Sequence, residues 1–245
     1  MAEARLTPRP LIEIPVILLT AILAGIIAGL LHARFQKRSW QAPELQHIWL
    51  ALVAFLPQFF AFYLPATRTQ LPNAWVAVCL IASQVGLVIF CVLNRRHFGI
   101  KVLAVGLLLN LLVITANGGF MPMSTETARQ LVSEAVFRTL VVGSRLSAGS
   151  KDVLLPPDGI IFPWLADRFL PPAWFSYRFA FSLGDVFIGM GAFLLLSMQP
   201  NWQKGSAQHV SQPDDPSAGG NPGYAARADG SKPPAGGSVD QQPVL

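Results

Sequence analysis

Residues 74–93 read AWVAVCLIASQVGLVIFCVL, an apolar run without a single charged side chain. As an α-helix, roughly 20 such residues cover the ~30 Å hydrocarbon core of a bilayer. A helix also satisfies its own backbone, which lipid requires. Residues 14–31, 48–65, 102–116 and 179–198 are of similar character, and together the five stretches set the frame of the chain up to residue 200. The expected fold is all-α: an integral membrane bundle of about five transmembrane helices, with an outer amphipathic helix and aromatic turns over one end.

Composition agrees. The 245 residues are 52% hydrophobic and 13% charged, about half the charge of a soluble domain. The net charge of +5 comes from basic residues spread over short connections. Without a basic patch this argues against nucleic acid as a partner and for the lipid bilayer. Cys79 and Cys91 share one expected helix; roughly 18 Å apart along its axis, they are too distant for a disulfide. His32, His47, His97 and His209 are scattered, and no HExxH, GxSxG or P-loop arrangement occurs. No catalytic residue, metal site or cofactor is expected. Asp152, Asp158, Asp167 and Arg168 are the nearest thing to a constellation and read as solvated surface charges.

The connections carry the topology. Arg34, Lys37 and Arg38 lie in the first, Arg95, Arg96 and Lys101 in the third, and Arg68 alone in the second. Short loops rich in Lys and Arg stay in the cytoplasm. That rule orients the protein with its N-terminus outside and its C-terminus inside the cell membrane, although Arg5 and Arg9 pull the other way. Residues 14–31 exceed the usual signal-peptide core and no small-x-small cleavage site follows, so a retained first helix is expected.

The fourth connection, residues 117–178, faces outward in this scheme. Ser124 is suited to cap an amphipathic helix running to about Val142, with Ala128, Leu131, Val132, Ala135, Val136 and Leu140 on one side. Residues 160–181 then bring Phe162, Trp164, Phe169, Trp174, Phe175 and Tyr177. Aromatics at this density beside a membrane helix belong at the headgroup level, as an anchor or as the roof of a ligand cleft. From residue 201 onward Pro, Gly, Ser and Gln dominate, and a disordered cytoplasmic tail is expected.

Two sets of residues stand out. Ala21, Gly25 and Gly29 in the first helix, with Ala82 and Gly86 in the third, offer small faces for close helix packing, within one chain or in a homo-oligomer. The second set is polar: Asn110 and Asn117 on one helical face, the Gly118–Gly119 turn, and Asp185. Gln58, Ser83 and Gln84 are further polar side chains within apolar stretches and should turn inward. Asp185 is the acid farthest into an apolar stretch, a functional hypothesis by default in a membrane protein. Yet Ser182-Leu183-Gly184-Asp185 also fits a capping box at a helix start. Gly118–Gly119 serves either as a C-cap or as a backbone site for a ligand group beside Asp185.

Asn117-Gly118-Gly119-Phe120-Met121-Pro122 after one membrane helix and Ser182-Leu183-Gly184-Asp185 opening another resemble a bacterial membrane family of unknown function, domain-of-unknown-function family 5317. Arg95-Arg96 before Gly99-Ile100, and Trp164-Leu165-Ala166-Asp167, are similar in placement, with Ala166 where a glycine is expected. The resemblance runs roughly from residue 11 to residue 200. It implies a multi-helix bacterial membrane protein and supplies no activity. The leading expectation is a non-enzymatic subunit that binds a membrane protein partner or scaffolds an assembly. The alternative is a small-molecule or lipid binder, transporter or sensor, using Asn110, Asn117, Gly118, Gly119 and Asp185.

Overall fold

The computed structural model describes residues 16–172, 174–175 and 178–198; Arg5, Arg9, Tyr177 and the tail lie outside the described residues. The helices are α1 (Val16–Phe35), α2 (Ile48–Gln58), α3 (Pro65–Arg68), α4 (Asn73–Leu93), α5 (Phe98–Ala116), α6 (Thr125–Leu131), α7 (Glu134–Phe137) and α8 (Leu183–Ser197). Two short strands, β1 (Met121–Ser124) and β2 (Asp152–Leu155), pair in parallel with Met121 opposite Asp152 and Ser124 opposite Leu155.

Among the described residues, α1, α4 and α5 are long and apolar enough to cross a membrane, whereas Ile48–Tyr63 and Leu183–Ser197 are shorter apolar helices. The structure thus supplies three helices of spanning length where the sequence led us to expect five. Local chemistry accounts for both shortfalls. Pro57 lacks an N–H, and α2 gives way two residues later to a π-turn over Phe59–Tyr63, closed by Leu64 N–H donating to the Phe59 carbonyl at 3.1 Å. At its other boundary, α8 begins only at Leu183, because Ser182 is extended and caps it.

The long helices are packed in the order α1, α8, α5, α4, α2, so the last helix of the described chain sits between the first and the fourth of the apolar segments. Missing side chains make this possible. A Cβ on Gly99 or Gly106 of α5 would collide with the α8 backbone at Gly191–Leu195 or Gly184–Ile188, and one on Gly191 would strike Leu103. Gly25 and Gly29 of α1 lie against Phe193 and Leu196 on the other flank of α8. Close backbone approach of this kind is how apolar helices can pack without a hydrophobic drive. Outward-facing positions on these helices carry exposed Leu23, Ile27, Leu52, Val78, Ile89 and Leu108.

At one end, which we term the loop end, residues 117–182 form a cap over α4 and α5. Its floor belongs to the largest core cluster, where Phe120, Met121, Val153 and Leu165 join Ala61, Phe62, Val76, Leu80, Val113 and Ile114. A smaller cluster of Met123, Ala128, Leu146 and Leu154 holds the cap together. The amphipathic helix expected over 124–142 is instead two short helices. Ser124 does cap α6, accepting from Thr127 N–H at 3.1 Å, but Val132 and Ser133 are extended and Ser133 caps α7 afresh. The parallel strand pair is a further departure from an all-α reading. At the opposite end run the connections 36–47 and 94–97, tied together where Gln46 N–H donates to Asn94 Oδ1 at 2.6 Å and Asn94 Nδ2 donates to the Gln46 carbonyl at 2.9 Å.

Candidate functional site

The polar residues singled out in the sequence fall into two groups at the loop end. Asn110 of α5 and Asp185 of α8 meet directly: Asn110 Nδ2 donates to Asp185 Oδ1 at 2.9 Å. Ser182 Oγ donates to Asn110 Oδ1 at 3.0 Å, while accepting from Asp185 N–H at 3.0 Å. Asp185 Oδ2 in turn accepts from Ser182 N–H at 3.1 Å, completing a capping box at the α8 N-terminus. Gly184 has no room for a side chain because Asn110 Oδ1 occupies its Cβ position. Both carboxylate oxygens are therefore engaged, and the helix dipole favours the negative charge there.

Asn117 and the diglycine turn form a separate joint. Asn117 Nδ2 donates to the Val113 and Ile161 carbonyls at 2.8 and 2.9 Å, and its Oδ1 accepts from Ile161 N–H at 3.0 Å. Gly118 and Gly119 have φ of +75° and +90°, and Gly119 N–H donates to the Ile114 carbonyl at 2.8 Å, a left-handed helix closure. A Cβ on Gly119 would strike Ala77 of α4, so this turn also brings α4 and α5 together. The structure thus joins Asn110 to Asp185 and Asn117 to Ile161, while Gly118 and Gly119 close the end of α5.

The helix-packing set divides likewise. Gly25 and Gly29 are buried against α8, Ala21 is half-buried beside Gly189, and Gly86 faces Ala54 of α2. Ala82 is exposed on the outer side of α4. Gln58 Nε2 donates to Ser83 Oγ at 2.8 Å, whereas the buried Oε1 of neighbouring Gln84 is without a hydrogen-bond partner.

Sequence reasoning missed the most unusual group. Asp152 and Asp167, read as solvated, are 4% and 1% exposed; of the charges grouped with them, only Asp158 and Arg168 are exposed. Lys151 Nζ bonds Asp152 Oδ1 at 3.1 Å and also bonds Asp167 Oδ2. Asp167 N–H donates to the Pro122 carbonyl at 3.1 Å, fastening the segment to β1. The remaining oxygen, Asp167 Oδ1, is buried without a partner. Burial pushes this carboxyl well above the usual carboxylate range; Lys151 opposes the shift, and the charges of Asp152 and Asp185 add to it. The hint in the sequence was the alternation of Lys151-Asp152 with the apolar Val153-Leu154-Leu155, an edge where a charge is drawn inside.

Fold and site together describe a largely helical, apolar protein with three helices of membrane-spanning length and a capped polar end. The chain belongs to the family of unknown function DUF5317, whose model matches residues 43–197. The match takes in α2 through α8 and the whole cap, and leaves out α1, which the resemblance had included. An uncharacterized protein of Thermotoga maritima is 26% identical over 144 residues, covering 59% of this chain and 76% of that protein. No solved structure matches the chain.

Proposed function

We propose that this is a multi-pass bacterial membrane protein with five spans, serving as a non-enzymatic assembly subunit whose rigid loop-end cap engages a partner protein. The observation that carries the reading is how the polar side chains at the loop end of the bundle are engaged, Gln84 farther along α4 being the one described bundle residue with an unpartnered buried oxygen. Asn110, Ser182 and Asp185 bond one another, and Asn117 holds the cap segment, so their hydrogen bonds fix the cap to the helices. A transport path asks instead for polar groups left available along the bundle. The two short apolar helices act as spans in this reading, with flanking aromatics at the interface and modest local thinning of the bilayer.

Orientation follows from charge. Arg34, Lys37, Arg38, Arg95, Arg96 and Lys101 gather at the end opposite the cap, with Glu44 the acid among them. That end is cytoplasmic under the positive-inside rule, which puts the cap and the N-terminus outside. Native mass spectrometry of the protein gently extracted from its own membrane tests the function. A second polypeptide at fixed stoichiometry supports the assembly subunit; a monomer alone sinks it. The competing reading, a small-molecule or lipid binder, draws on the density of buried polar groups around Asp185. It is supported instead if the same measurement shows a bound small molecule or lipid that is lost on Asn110→Ala.

A further inference from the structure

The buried acids of the cap are short of positive charge. Lys151 Nζ is the cation bonded to both Asp152 and Asp167, and one ammonium neutralises one carboxylate. Asp185 has its own compensation, two hydrogen bonds and the α8 N-terminus. Arg145 is committed elsewhere, its Nε donating to Asn73 Oδ1 and its Nη1 to the Ala148 carbonyl, both at 3.1 Å. Arg168 is exposed, with its guanidinium over the Phe169 ring at 5.9 Å. Among the described residues, the charged groups facing Asp167 are Lys151, Asp152 and, more remotely, Asp185. If all three acids were ionised, the cluster would carry one positive and three negative charges. Its deepest oxygen, Asp167 Oδ1, would then be a desolvated anion without a donor. A buried, unpaired anionic oxygen is among the costliest arrangements in a protein.

Something cationic must complete this cluster. Among the described residues no three His, Cys, Asp or Glu side chains converge in a manner that would hold a metal ion. A proton fits where a metal ion does not. We propose that the Asp152–Asp167 pair is a proton-binding site, holding one proton at Asp167 Oδ1 at neutral pH, and that this proton latches the Asp167 segment to the strand pair within the cap. In the latched state Lys151 is ion-paired with Asp152. Lys151 still donates to Asp167 Oδ2, now an oxygen of a neutral carboxyl. Losing the proton leaves two carboxylates competing for one ammonium at the root of β2. The strain falls on two bonds within the cap: Asp167 N–H to the Pro122 carbonyl, which ties the Asp167 segment to β1, and Met121 N–H to the Lys151 carbonyl at 3.0 Å, which ties β1 to the root of β2.

Infrared spectroscopy on the full chain in lipid nanodiscs reads the proton directly. The wild-type protein should show a protonated-carboxyl C=O band at neutral pH that disappears on raising the pH. Asp167→Asn should abolish the band, and Asp158→Asn, at an exposed site, should leave it. Asp152→Asn should abolish it too, because Lys151 then pairs with Asp167 one to one. Its test stands even if Asp167→Asn fails to fold. In parallel, amide hydrogen exchange across residues 121–124 and 152–155 should accelerate as the band titrates, beyond the intrinsic rise of exchange with pH. An absent band, or one untouched by both Asp152→Asn and Asp167→Asn, overturns the site. A band that titrates with exchange in β1 and β2 following only the intrinsic pH dependence overturns the latch.

Discussion

A single amide side chain does the work of a joint between two helices. Asn110 donates to Asp185 and accepts from Ser182 at a depth where water is scarce. Removing it takes one bond each from the buried Ser182 hydroxyl and the half-buried Asp185 carboxylate, which costs about 1–3 kcal/mol. Asn110→Ala should therefore lower the thermal unfolding midpoint of the purified protein, and Ser182→Ala, which deletes the cap, should cost about 1 kcal/mol. Equal midpoints for wild type and both variants would remove this joint from the account. Asp167 gives the second residue-scale expectation. Its carboxyl is held above the ordinary range, so the folded state keeps a proton that the unfolded chain has released. Stability from this group is then fully present below the unfolded value and is lost as pH rises through the folded one. Thermal midpoints should fall toward alkaline pH in the wild type, and the slope should flatten in Asp167→Asn. A parallel slope in both would contradict it.

At the scale of elements, what the sequence made legible depended on how local the cause is. The apolar runs and the Ser182–Asp185 capping box are written within a few neighbouring residues, and the structure shows helices in all five runs and both bonds of the box. The strand pair is not local. Met121 and Asp152 come together only because the chain between them folds back over α4, and no short-range pattern announces that pairing. The same distance hid the burial of Asp152 and Asp167, whose environment is built by β1, β2 and α8 at once. The break between α6 and α7 was within reach, since Ser133-Glu134 repeats the cap chemistry of Ser124. The crossing of α5 with α8 supplies the element-scale test. Gly191 lies where any side chain meets the Leu103 backbone, so Gly191→Val should force the helices apart at a cost of about 1–3 kcal/mol or more. Gly118→Ala meets open space and suffers only its positive φ, about 1 kcal/mol. Ranking the two variants by heat or detergent stability checks the packing: Gly118→Ala as the worse of the pair would refute it.

For the whole molecule, the charge asymmetry between the two ends is the feature that an intact cell reads. Ser39→Cys lies at the basic end and Asp158→Cys on the cap, both at exposed positions. An impermeant thiol reagent applied to whole cells should label Asp158→Cys at once and Ser39→Cys only after the membrane is opened. The reverse pattern would invert the proposed orientation. The native Cys79 and Cys91 are half-buried and buried within α4, which keeps the background low.

The order of packing has a consequence for how the protein is made. Of the described helices, synthesis delivers α1 first and α8 last, yet α8 is the helix that α1 rests against. During translation the glycine face of α1 has no mate, and neither does the matching face of α5. On the proposed five-span reading, both wait in the lipid, or in the hands of the insertion machinery, until α8 leaves the ribosome and slides between them. A nascent chain stalled before residue 183 therefore carries two unfilled helix faces, and on that five-span reading it is a natural substrate for membrane quality control. The closing helix works like a keystone, so supplying residues 178–198 as a separate polypeptide to such a truncated chain should rescue it from degradation.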